Sequence, residues 1–157
     1  MRKRILVAGI GVVAALAFAG CGGSSKSGSP SSRPDTFVLS EFTIIPPANT
    51  LHPGPITLTA DNVGGEVHEL VIVRAAGLSD LPMKPDGSVN EAKIRNADKV
   101  GEIADVAAGS HAAKTFRLTA GTYVAICNLV DSMKGHSDMA MGHVHFAQGM
   151  HATFTVS

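Results

Sequence analysis

Side chains able to bind a metal crowd toward one end of this sequence. Seven histidines occur: His52, His68, His111, His136, His143, His145 and His151. The last four share residues 133–157 with Met133, Met139, Met141 and Met150, and Cys127 lies just upstream. Thiolate, imidazole and thioether form a soft donor set, better suited to copper than to magnesium or calcium. Zinc also accepts thiolate and imidazole and is the main competitor. Each residue has a plainer reading. Cys127 fits a small buried hydrophobe, His68 a hydrogen-bonded core histidine, Met150 a plug under the last strand, and the remaining His and Met side chains an exposed loop.

Other chemistries lack their signatures. No Gly-rich phosphate loop ends in Gly-Lys-Ser/Thr, and no Cys-x-x-Cys-His haem attachment or Gly-x-Ser-x-Gly elbow occurs. Glu66, His68 and Glu69 could be written as acid–base residues, yet nothing places a substrate against them, so the expectation is a protein that is not an enzyme. The 157 residues carry 13 basic and 13 acidic side chains. Without Arg2, Lys3 and Arg4 the basic count falls from 13 to 10, so a chain starting at residue 21 has a net charge of 10 − 13 = −3. No basic surface for nucleic acid is expected.

Those three basic residues precede the mostly apolar stretch Ile5–Ala19, too short and too early for a spanning helix. It ends in Phe18-Ala19-Gly20-Cys21, small residues before a cysteine. The pattern resembles a bacterial lipoprotein signal, which implies a signal peptide over residues 1–20 and lipidation of Cys21, palmitate included. The implied location is the extracytoplasmic face of a bacterial membrane, with the membrane itself as a partner. More than one acyl chain makes such an anchor stable. Residues 22–34, GGSSKSGSPSSRP, cannot build a core and, after the lipidated Cys21, complete a flexible linker over 21–34. If Cys21 carries lipid, Cys127 has no disulfide partner within the chain, and its role becomes the central question.

The domain that must position these donors spans 35–157. Asp35–Ile45 is a β-type run ended by Pro46-Pro47. Ile56–Asp61 alternates apolar and polar residues with the period of a half-buried strand. Val67–Arg74 contains Leu70, Val71, Ile72 and Val73, a run suited to a strand packed on both faces. Gly77–Lys99 reads as a long irregular connection with at most one small helix, near Asn90–Arg95. Val100–Ala107, Ala113–Leu118, Tyr123–Cys127 and Ala152–Val156 complete about seven strands, an all-β sandwich.

Within that frame His145-Phe146-Ala147-Gln148-Gly149-Met150, just before the terminal strand, resembles the cupredoxin (blue-copper-like) family. There a cysteine ending the penultimate strand is followed by a histidine and a methionine, and another histidine comes from an earlier strand. Carried over by position, these are Cys127, His145, Met150 and His68, the last in Asn62-Val63-Gly64-Gly65-Glu66-Val67-His68-Glu69. The resemblance implies a Greek-key sandwich and copper held by Cys127 and two imidazoles in a trigonal plane, with Met150 as a longer axial ligand.

The sequence departs from that family in one respect. Seventeen residues separate Cys127 from His145, where the family has only a few. His136 and Met141 repeat the His145/Met150 spacing and form a rival pair. Met133, His136, Met139, Met141 and His143 are candidate auxiliary metal ligands. Two functions follow as expectations. One is a one-electron carrier using a type-1-like Cu(II)/Cu(I) site, with a redox protein or oxidase as partner. The other is a copper-delivery module using the Met/His-rich loop, with a copper acceptor as partner.

Overall fold

A computed structural model of the chain describes residues 35–131 and 143–157. The signal segment 1–20, the linker 21–34 with Cys21, and Met133, His136, Met139 and Met141 lie outside the described residues.

In chain order the strands are β1 (Thr36–Ser40), β2 (Thr43–Ile45), β3 (Gly54–Asn62), β4 (His68–Arg74), β5 (Lys99–Val106), β6 (His111–Leu118), β7 (Gly121–Ile126), β8 (Val130–Asp131), β9 (His143–Val144) and β10 (His151–Val156). Two four-stranded sheets, ordered β2-β1-β3-β6 and β10-β7-β4-β5, pack face to face, and β8 pairs with β9. The first sheet is mixed, because β1 runs parallel to β3; every pairing in the second is antiparallel. The chain changes sheet between β3 and β4, β5 and β6, and β6 and β7.

The run Asp35–Ile45 proves to be two strands. Glu41-Phe42 turns it back on itself, with Phe42 in the left-handed region at φ 57°, and Val38, Leu39 and Ser40 pair with Ile45, Ile44 and Thr43. The Gly77–Lys99 connection holds no α-helix, only the 3-10 turns Leu78–Asp80 and Glu91–Lys93. Pro82 and Pro85 break the chain between them.

Burial explains why the sheets stack. Phe37, Leu39, Leu58, Leu70, Ile72, Phe116, Leu118, Tyr123, Ala125 and Phe154 fill the space between them. The opposite face of the second sheet is also covered. Val71, Val73, Val124 and Ile126 pack there against Leu81, Val89 and Ile94 of the long connection and against Val144 and Phe146. That second cover accounts for the uninterrupted apolar run Leu70–Val73. Each aliphatic side chain so buried contributes about 1.5–3 kcal/mol of hydrophobic stabilisation.

Candidate metal centre

Strand periodicity delivers the donors. On β4, Leu70 and Ile72 face the inter-sheet core, and two residues earlier the same face carries His68. On β7, Tyr123 and Ala125 face that core, and the next inward position is Cys127, just past the strand end. On β10, Phe154 and Val156 point inward and Met150 continues the series, also buried. The β4–β7 register, with Val71 opposite Ile126, brings the start of one strand beside the end of the other. At that pole Ala104-Asp105 lies opposite the single residue Glu69, a bulge between the His68 and Leu70 pairings in which Asp105 takes φ 51°. Such bulges re-aim side chains next to functional sites.

His145 arrives by a different route. Its N–H donates to Leu129 O at 3.0 Å, continuing the β8–β9 ladder, after which 145–150 closes in a tight turn. Met150 N–H donates to His145 O at 3.1 Å and Cys127 N–H donates to Met150 O at 3.0 Å. Backbone bonds therefore tie Met150 between the other two. Gly149, at φ 104°, takes the conformation that lets the turn close.

His68, Cys127 and His145 are all fully buried, and their donor atoms lie within 4.8 Å of one another. The Nδ1 atoms of the two histidines are 3.2 Å apart, and His145 Nδ1 is 3.3 Å from Cys127 Sγ. Nitrogen and sulfur donors sit about 2.0–2.3 Å from a bound transition ion, so separations near 3.3 Å suit atoms sharing one ion. The donor set therefore fits a metal of copper's softness, and the cluster can coordinate one. The backbone N–H of Glu69 donates to the Cys127 sulfur at 3.5 Å.

Around the donors lies a shell that sequence reasoning assigned only in part. Phe42 sets its ring edge-on to His145, centroids 5.5 Å apart. Glu41 Oε1 stands 3.9 Å from His68 Nε2, and Glu66 Oε2 stands 3.7 Å from His145 Nε2. Hydrogen bonds from its own N–H and from that of Gly65 hold the Glu41 carboxyl below the ordinary carboxylate range. Buried Asn62 braces the same loop, donating to Glu66 O at 2.7 Å and Val106 O at 2.8 Å while accepting from Gly64 N–H. Burial pushes the Glu69 carboxyl up, against the lowering effect of a 2.9 Å bond from Asn128 N–H. Glu69 is thus a backbone clip beside Cys127.

Asn128 does not turn its side chain to the sulfur. It accepts from Val89 N–H at 2.7 Å and donates to Val89 O at 3.0 Å and Glu91 Oε1 at 2.9 Å, pinning the long connection to the ligand loop. His143 is exposed, its ring 6.3 Å from Phe42, and the structure does not gather it with the three donors. His52 Nδ1–H donates to Ser157 O at 2.8 Å, and His151 packs on Phe146, both apart from the cluster. Glu41 and Phe42 carried no signal in the sequence, because a tight turn inside an apparently single strand is what brings them to the site.

No protein-family model matches the sequence, and no curated protein matches it. Among solved structures, the chain is similar to sodium-dithionite-reduced auracyanin from the photosynthetic bacterium Roseiflexus castenholzii. Identity is 22%, coverage is 78% of this chain and 94% of that one, and the TM-score is 0.52. An azurin from the obligate methylotroph Methylomonas sp. strain J matches at 16% identity, covering 62% and 87% of the two chains with a TM-score of 0.40. Reduced rusticyanin matches at 15%, covering 78% of each, with a TM-score of 0.41. The auracyanin likeness establishes a cupredoxin-like β-sandwich, and the buried His/Cys/His cluster at its pole has the composition of a type-1-like copper site.

Proposed function

We propose that this protein is a one-electron carrier in which His68, Cys127 and His145 would hold copper, with Met150 as a fourth, weaker ligand. The observation that carries the reading is the burial of two imidazoles and one thiol within 4.8 Å of one another at one end of the sandwich. When bound, copper supplies the Cu(II)/Cu(I) couple. The protein's part is to keep the donors in one arrangement for both oxidation states. His68 begins a strand hydrogen-bonded on both sides, Cys127 is fixed through Met150 O, and His145 through Leu129 O. Ligands that do not move when the ion changes charge keep the reorganisation accompanying electron transfer small. The Glu69 N–H at the sulfur and the apolar surroundings of Cys127 tune the potential. Auracyanin, described in a dithionite-reduced form, supports the redox reading.

The three donors gather as a single-metal cluster among the described residues, which favours a carrier over an enzyme. In this reading the domain lies outside the cytoplasm on a bacterial membrane, held by acylated Cys21 through the 22–34 tether. Its exchange partner is a redox protein or oxidase. Loading the full-length chain in detergent with Cu(II) tests the function. An intense thiolate-to-copper visible band, narrow copper hyperfine splitting and reversible one-electron cycling are expected. A colourless Cu(II) complex with ordinary, wide splitting overturns electron transfer. Rapid Cu(I) hand-over to an acceptor, slowed by replacing Met133, Met139 and Met141, would establish delivery instead. Mass spectrometry of the mature N-terminus checks the anchor, which fails if Cys21 is unmodified.

A further inference from the structure

The turn between β1 and β2 has no part in the donor set, yet it sends a carboxylate to the edge of it. Glu41 Oε1 accepts the backbone N–H of both Gly65 and Glu66, the latter at 3.0 Å, two residues before His68. The same oxygen stands 3.9 Å from His68 Nε2. Gly64 makes room for it: a Cβ there would lie 2.6 Å from Glu41 Oε1. A glycine, two backbone donors and a ring nitrogen thus converge on one side chain from a segment remote in sequence.

We propose that Glu41 is a positioning residue of the metal centre: its carboxylate clamps the 64–66 turn and keeps the His68 ring oriented with Nδ1 toward His145 and the donor cluster. This rests on the copper reading above but reaches a residue outside it. An imidazole ligates through one nitrogen and carries its proton on the other, and a partner facing the second nitrogen selects that tautomer and the ring orientation. His68 offers Nδ1 inward, 3.2 Å from His145 Nδ1, and Nε2 toward Glu41. At 3.9 Å the carboxylate acts on the ring through its charge, not through a direct hydrogen bond. The clamp on Gly65 and Glu66 keeps that charge in place and fixes the backbone entering β4.

Histidine nitrogen NMR on the metal-free full-length chain in detergent reads the tautomer directly, comparing the parent with Glu41→Ala and Glu41→Gln. The same samples are then titrated with Cu(II) against a competing chelator, and their reduction potentials are measured. The parent should show His68 protonated on Nε2. Glu41→Ala should mix in the other tautomer and lower copper affinity by about tenfold or more. Glu41→Gln retains an oxygen for the two N–H groups, so affinity should fall less. Its lost negative charge should raise the reduction potential, because Cu(II) is disfavoured relative to Cu(I). A merely structural role would lower the melting temperature and move neither tautomer nor potential. Unchanged tautomer and unchanged potential in the glutamine variant overturn the proposal, and that variant decides the matter if the alanine chain does not fold. Should the parent hold no copper, the electron-carrier reading fails while the metal-free NMR still passes or rejects Glu41.

Discussion

β4 and β7 run together from one pole of the sandwich to the other, and their two ends are finished in opposite ways. At the end formed by Arg74 and Tyr123, both polar side chains are answered by protein. Tyr123 O–H donates to Thr119 O at 2.8 Å and accepts from Thr119 N–H at 3.0 Å. Arg74 donates to Ala120 O at 3.0 Å and to the Thr119 hydroxyl, and its guanidinium lies 5.9 Å from the Tyr123 ring centroid. At the end formed by His68 and Cys127, the buried groups are electron-pair donors turned toward one another. The first end is complementary to itself and serves stability. The second is complementary to a cation and serves chemistry.

The sharpest way to break this contrast is to remove the sulfur. Cys127→Ser should abolish the thiolate-to-copper visible band altogether, since oxygen cannot supply that transition, while leaving the circular dichroism of the sandwich unchanged. A surviving band would mean that Cys127 is not the donor. A second effect follows from linkage. A ligand that binds only the folded chain stabilises it by about 2.7 kcal/mol when present at 100 times its dissociation constant. Urea unfolding of the parent should show that gain with copper, and Cys127→Ser should show little of it at the same concentration.

At the other pole the expected signs reverse. Tyr123→Phe removes the hydroxyl that both donates to and accepts from Thr119 and leaves those partly buried backbone groups short of a partner, at a cost of about 1–3 kcal/mol. The unfolding free energy should fall by that amount, and the urea midpoint with it, while the copper spectrum stays as in the parent. A changed spectrum would show that the two ends are coupled through the strands and would weaken the division drawn here.

How much of this was legible beforehand differs between the elements. Alternation in Ile56–Asp61 and the apolar run Leu70–Val73 announced β3 and β4, because burial on one face or on two writes directly into residue order. Cys127, His145, Met150 and His68 were picked out by the resemblance to the cupredoxin pattern, with His136 and Met141 left as a rival pair. The β1–β2 turn at Glu41-Phe42 was not legible. Its residues are neither Gly, Pro nor Asn, and a phenylalanine at φ 57° is a conformation that tertiary contact with His145 sustains. Glu41 and Glu66 at the histidines were hidden for the same reason, as cross-chain proximity has no local signature. The Gly77–Lys99 segment read as a long irregular connection, with no packing role assigned to it. Its spaced Leu81, Val89 and Ile94 in fact roof the second sheet, a pattern with neither a helical nor a strand period.

That roof supplies the smallest expected effect, and one that tests whether the connection matters to the metal end. Glu91 joins the two regions, accepting from Asn128 Nδ2 at 2.9 Å and pairing with Lys99. Burial pushes its carboxyl up, but the bonds from Lys99 and Asn128 and the charges of Lys99 and Lys84 outweigh this and hold it below the usual carboxylate value. Lys99 moves the opposite way, raised chiefly by its hydrogen bond to Glu91, and stays charged. A carboxyl depressed in the folded state stabilises folding above its unfolded value, and that contribution disappears as pH falls through the depressed folded value. The parent should therefore lose stability on acidification from about pH 5 toward pH 3. In Glu91→Gln this part of the loss should be absent, and the difference between the two chains at neutral pH should be about 1 kcal/mol or less, because the pair is partly exposed. Urea midpoints measured across that range check the sign. If the two chains lose stability in parallel, the Glu91 link contributes nothing, and the connection is held by Leu81, Val89 and Ile94 together with the Asn128–Val89 hydrogen bonds.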